Sequence, residues 1–171
     1  MKRQVFDSLE PVALAWASIE PTIQQIYGKD FHVKSQVYAQ LTTGQRALLM
    51  FHVLYGHTPN GVAEFYSLIP YLPGQSAIWA ELKAGMSYFG EDAMLRLLEE
   101  MEEVYNILEA RKQHEDTEWR DVGAKDLEDD PELLVSIDRL DANYHQIAPA
   151  TLKRIGAYIH NNPSEFVQIE D

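Results

Sequence analysis

Residues 91–113, EDAMLRLLEEMEEVYNILEARKQ, constrain the fold of this chain more than any other stretch. At about 100° per residue, Met94, Leu97, Leu98, Met101, Val104, Tyr105 and Leu108 share one arc. Glu91, Asp92, Glu99, Glu100, Glu102, Glu103 and Glu109 take the other arc. The spacing predicts an amphipathic helix, the longest of the chain, with one face in a core and an acidic face outside. Its charges suit its dipole, with Glu91 and Asp92 at the start and Arg111 and Lys112 at the end.

Almost every other segment also reads as helix. Pro11 and Pro21 stand where helices start and Gly28 where one stops, so the first forty residues read as two short helices and a linker. TTGQRALLMFHVLYG is a helix capped by Thr42 or Thr43 and ended by Gly56. TPNGVAEFYSLI offers Thr58 as its cap and Pro59 as its first residue. SAIWAELKAGMSYFG ends at Gly90. Residues 114–130, HEDTEWRDVGAKDLEDD, lack periodicity and read as a long acidic surface loop. Asp130 and Pro131 open a helix that runs to about Gln146, with Leu133, Leu134, Ile137, Leu140, Tyr144 and Ile147 inward. APATLKRIGAYIHNN is the last helix, stopped by Pro163. No long alternating run or Asn-Gly hairpin is present. The expected fold is all-α: a single compact multi-helix domain of about seven to eight helices with a long acidic loop. Residues 1–40 are expected to form an N-terminal helical extension packed on a main domain over 41–166.

Composition narrows the function. An apolar fraction of 46% supports a real core. No run of about 18 apolar residues occurs, so no membrane-spanning helix is expected. The N-terminal MKRQVFDSLEPVALAWASIEP reads as folded chain rather than a signal peptide, because Glu10, Pro11, Glu20 and Pro21 interrupt it. The chain has no cysteine, which excludes disulfides and cysteine-ligated zinc and fits a cytoplasmic location. Residues 1–90 carry six acids and six bases, whereas 91–171 carry 21 acids against 8 bases, which is all of the net charge of -13. Such a one-sided field repels nucleic acid and attracts basic surfaces.

Catalytic signatures are absent from the sequence. No His-Glu-x-x-His or Glu-x-x-His pair, no Gly-x-Ser-x-Gly elbow and no Walker or Gly-x-Gly-x-x-Gly loop occurs. His52 and His57 are five residues apart, and Gly56 is expected to end their helix between them. DLEDDPE lacks the central glycine of an EF-hand. No cofactor and no metal are expected.

The acidic surface is the strongest remaining signal. Carboxylates at i, i+3 and i+4 on a helix lie about 5–6 Å apart, and phosphates along a DNA strand advance about 3.4 Å per nucleotide. A row of carboxylates therefore resembles a phosphate ridge in sign and roughly in spacing. On charge alone, a solvated face that aids solubility is the favoured reading.

Four segments weigh on that choice: LTTGQRALLMFHVLYGHTPNG (41–61), AELKAGMSYFGEDAMLRLLEEMEEVY (80–105), LDANYHQI (140–147) and LKRIGAYIHNNPSEF (152–166). In this order they resemble a bacterial DNA-mimic family, the DMP type, over roughly residues 41–166. The family's Asn-Gly-Gly-Phe turn is kept at Asn60 and Gly61, but Val62 and Ala63 replace the Gly-Phe pair. The resemblance implies an all-helical homodimer whose acidic surface imitates duplex DNA and sequesters a DNA-binding regulator or a nucleoid-type protein. Asn60 and Gly61 read as a cap and tight turn, and Tyr144, Tyr158 and Phe166 as core.

The leading expectation is a non-enzymatic acidic protein that imitates DNA charge to bind a basic DNA-binding protein, without binding nucleic acid or membrane. Glu99, Glu100, Glu102, Glu103, Glu109, Glu115, Asp116, Glu118, Asp121, Asp126, Glu128, Asp129, Asp130 and Glu132 supply the charge, with Trp119 as an apolar anchor. An immunity-type inhibitor of a basic toxin such as a nuclease uses the same acids against one partner. An enzyme or metal protein built on His and carboxylate groups near 52–64 is the third reading.

Overall fold

A computed structural model of the chain describes residues 1–72, 77–112 and 130–170. Eight α-helices occur among them: α1 (Arg3–Ser8), α2 (Pro11–Ile26), α3 (Phe31–Gln40), α4 (Thr43–His57), α5 (Val62–Leu68), α6 (Ile78–Phe89), α7 (Asp92–Lys112) and α8 (Pro131–Asn161). Lys2 and Glu170 form an isolated parallel bridge, and no strand occurs among the described residues. The fold is thus an all-α single domain. The acidic loop expected over 114–130 lies, except for Asp130, outside the described residues.

One hydrophobic cluster holds the helices together, running from Phe6 to Phe166. α8 is its backbone: α2 and α7 both pack along it, while α6 packs on α4 and α7. Met94, Leu97, Leu98, Met101, Val104 and Leu108 of α7 are all buried, as their spacing predicts. Thr42 caps α4 through a capping box: its hydroxyl accepts from the Gln45 amide and the Gln45 side chain accepts from the Thr42 amide. Asp130 caps α8, accepting from the amides of Glu132 and Leu133 at 3.0 Å.

Several boundaries differ from expectation. The first forty residues form three helices: α1 precedes Pro11, α3 follows Gly28, and Pro21 lies inside α2 rather than opening a helix. Likewise, Pro149 lies inside α8, so two expected helices are one of 31 residues, longer than α7 with 21. A proline in a helix frees the carbonyl four residues back. Both prolines stand exposed, so solvent can reach the freed groups, while Thr22, Ala148 and Thr151 beside them are buried. Burial of the flanking face outweighs the lost hydrogen bond. Leu134 is not inward but 41% exposed. Gly56 does not end α4, which continues to His57. α5 starts at Val62 instead of Pro59, and the Thr58 hydroxyl donates back to the Leu54 carbonyl at 2.6 Å.

Two buried tyrosines set an alkaline limit. The Tyr66 hydroxyl donates to the Met101 carbonyl at 2.6 Å. Burial pushes its pKa well up, and the Asp141 carboxylate adds to the shift. Burial pushes Tyr144 up to about 12. A phenol whose folded pKa exceeds its unfolded value of about 10 contributes stability that is complete below pH ~10 and lost as pH rises through the folded value. Thermal stability is therefore expected to fall from about pH 10 upward, with tyrosinate absorbance rising in step with unfolding. Full ionisation near pH 10 in a still-folded chain would contradict this.

Candidate functional site

α7 and α8 run antiparallel side by side, and two ion pairs join them. Near the start of α7, Glu91 meets Arg154, and about two and a half turns on, Glu100 meets Arg139 at 3.1 Å. The Glu100 contact is an ion pair without hydrogen-bond geometry; the Arg139 side chain is mostly exposed, whereas Glu100 is half-buried and its pairing oxygen is buried. Along the outer side of this pair of helices, Glu99 and Glu103 of α7 and Glu132 and Asp138 of α8 are exposed. These four carboxylates form the candidate site.

The other expected carboxylates behave differently. Glu102 accepts from Lys83 of α6 at 2.6 Å, so its charge is opposed on the flank of α7. Glu100 is opposed by Arg139. Glu109 is half-buried, and Asp130 serves the helix start. Glu115, Asp116, Glu118, Trp119, Asp121, Asp126, Glu128 and Asp129 lie outside the described residues.

Glu91 corrects the sequence reading outright. It is only 4% exposed rather than part of the outer face. Arg154 clamps its carboxylate with two hydrogen bonds, 2.7 Å from Nε and 2.6 Å from Nη2, and Thr151 Oγ1 donates at 2.8 Å. The hydrogen bond to Glu91 raises the pKa of Arg154. A hollow of about 550 Å³ adjoins this pair, lined by Arg96, Arg154, Tyr158 and Asn161 among others. Its buried anion is supplied by Glu91, so its charge is already balanced from within.

Asp141 has a role that sequence reasoning missed. Its Oδ1 accepts the amide of Val62 and so caps α5 from a different helix, 79 residues away. Gly61 makes this possible. Its φ of +116° favours glycine, and a Cβ there would stand 2.8 Å from Asp141 Oδ2. The Asn60–Gly61 turn is thus structural, and Val62, which departs from the Gly-Phe pattern, is fully buried beneath it. The available signal was the joint presence of the 41–61 and 140–147 segments, which meet here.

The histidine region is unlike a metal centre. His52 and His57 share α4, so Gly56 does not separate them. His52 packs edge-on to Trp16 at 5.0 Å between ring centres. Burial first, and the nearby His57 second, lower its pKa. Among the described residues, no group of three or more His, Asp or Glu is placed to hold a metal ion. No helix among them is long and apolar enough to cross a membrane.

The fold is that of an all-helical protein with exposed carboxylates on α7 and α8. Over residues 39–162 the sequence matches the family model described as DMP19-like protein. That match spans most of the chain, which therefore belongs to the DMP19-like family. No curated protein and no solved structure matches it.

Proposed function

We propose that this chain is a non-enzymatic binding protein that presents DNA-like charge to a basic DNA-binding protein and sequesters it. One observation carries the reading: Glu99, Glu103, Glu132 and Asp138 stand exposed on two antiparallel, packed helices. Carboxylates presented on two adjacent helices give a basic surface a charged ridge to follow, as a duplex does. Family membership, and the DNA-mimic resemblance of the four segments, support the same reading. The pairing of Glu100 and Glu102 with cations makes the ridge sparser than the sequence alone suggests.

The test is a salt series with an immobilised nucleoid-type basic protein as probe. Exposed charges are screened over about 10 Å at 0.1 M salt and about 3 Å at 1 M. Affinity is expected to fall at least about tenfold between 0.05 and 0.3 M salt, and duplex DNA is expected to displace the chain. An affinity unchanged across the series, or one indifferent to DNA, refutes the proposal.

A further inference from the structure

The acidic face also carries two apolar side chains that charge alone does not use. Ile107 of α7 is 47% exposed and Val135 of α8 is 66% exposed. Helix phase and one contact place them. Residues 100, 103 and 107 follow i, i+3, i+7 spacing and share a stripe of α7, and 132, 135 and 139 do the same on α8. Because the helices are antiparallel and Glu100 meets Arg139, the stripes read 100–103–107 against 139–135–132. Along its own helix, Ile107 lies about 10 Å and Val135 about 6 Å from that ion pair, both displaced toward the same end. Glu103 precedes Ile107 by one turn, and Glu132 and Asp138 flank Val135. Leu134, also exposed, lies about 100° round α8, on the side from which Asp141 reaches α5.

We infer that Ile107 and Val135 form an apolar anchor point within the acidic face, fitted to a basic amphipathic helix of the partner. The inference rests on the binding role proposed above and adds the chemistry of the bound element: an aliphatic side chain flanked by Lys or Arg. Charge complementarity selects this occupant. Glu103, Glu132 and Asp138 lie within a turn of the two side chains, and the one cation on their stripes, Arg139, already faces Glu100, so an occupant without cations leaves those three carboxylates unpaired. A second copy of this chain docked symmetrically brings the same carboxylates against themselves. DNA-reading helices make apolar contacts to thymine methyl groups as well as ionic contacts to phosphate. Aliphatic groups set among carboxylates offer both kinds of contact.

Two synthetic helical peptides of equal length and charge test this, one alternating Lys with Leu on a helical period and one with Ser in place of Leu. The wild-type chain is expected to bind the Leu peptide about tenfold more tightly at 0.15 M salt, the gain from burying a few aliphatic groups. I107S/V135S is expected to lose that preference and keep its salt dependence. E99Q/E103Q is expected to weaken both peptides alike. Equal affinity of the wild type for the two peptides, or a preference that survives I107S/V135S, overturns the anchor and leaves the electrostatic role standing. Failure of both peptides to bind removes that role and the anchor with it. Sedimentation in which I107S/V135S converts a dimer into a monomer overturns the anchor in favour of a second copy as occupant.

Discussion

Gly156→Ala is expected to destabilise the protein by about 3 kcal/mol and lower its melting temperature by about 6–12 °C. In an ordinary helix the same change stabilises by about 1 kcal/mol, because alanine is the better helix former. The sign reverses because of where α2 crosses α8. A Cβ at Gly156 would lie 1.8 Å from the Pro11 carbonyl oxygen and 2.3 Å from its carbon. Both are backbone atoms, so no rotamer change relieves the clash and the helices must separate. Separation would loosen Leu14, Ala15 and Ile19 of α2 from the core. Gly56→Ala is the matched control. Gly56 also lies within a helix, but its added Cβ would meet nothing within 4 Å. Thermal melts of the two variants should therefore move in opposite directions. A Gly156→Ala protein that melts with the wild type would mean that α2 does not approach α8 this closely.

What the sequence revealed follows the range of the interaction. The inward face of α7 was legible because six buried residues repeat at helical spacing within fifteen positions. The caps at Thr42 and Asp130 were legible because donor and acceptor lie within three residues. Pro21 and Pro149 misled because their local cost is visible in the sequence while the compensating burial is not. Glu91 misled for a related reason. It precedes the first turn of α7, so helix phase does not govern its direction, and Arg154, its partner, is 63 residues away. Asp141 and Val62 are similarly distant. Of the proposed binding face, the acids were readable but their partners were not. Lys83 and Arg139 come from other helices, and packing alone decides that Glu100 and Glu102 are opposed while Glu99 and Glu103 face solvent.

That distinction sets the largest expected effect on function. Changing Glu99, Glu103 and Glu132 together to lysine is expected to weaken binding to a nucleoid-type basic protein about 100-fold at low salt. Each exposed pair contributes up to about 1 kcal/mol, and reversal replaces attraction with repulsion, so three sites together reach the ~2.7 kcal/mol that a hundredfold change requires. All three side chains are exposed, and Glu132 lies in the first turn of α8, where capping falls to Asp130. The fold should survive. Glu100 and Glu102 are left alone because their cationic partners join α7 to its neighbours. The comparison triple is Asp7, Glu10 and Glu165 to lysine, which changes net charge equally. These residues sit at the other end of α8, where Phe6 stacks on His160 and Pro11 abuts Gly156. Along α8 that end is about 36 Å from Glu132, several screening lengths away at 0.1 M salt. If position on the face matters, only the first triple loses binding, measured side by side with circular dichroism as the folding control. Equal losses would assign the attraction to total charge, and the arrangement of carboxylates on α7 and α8 would then carry no recognition.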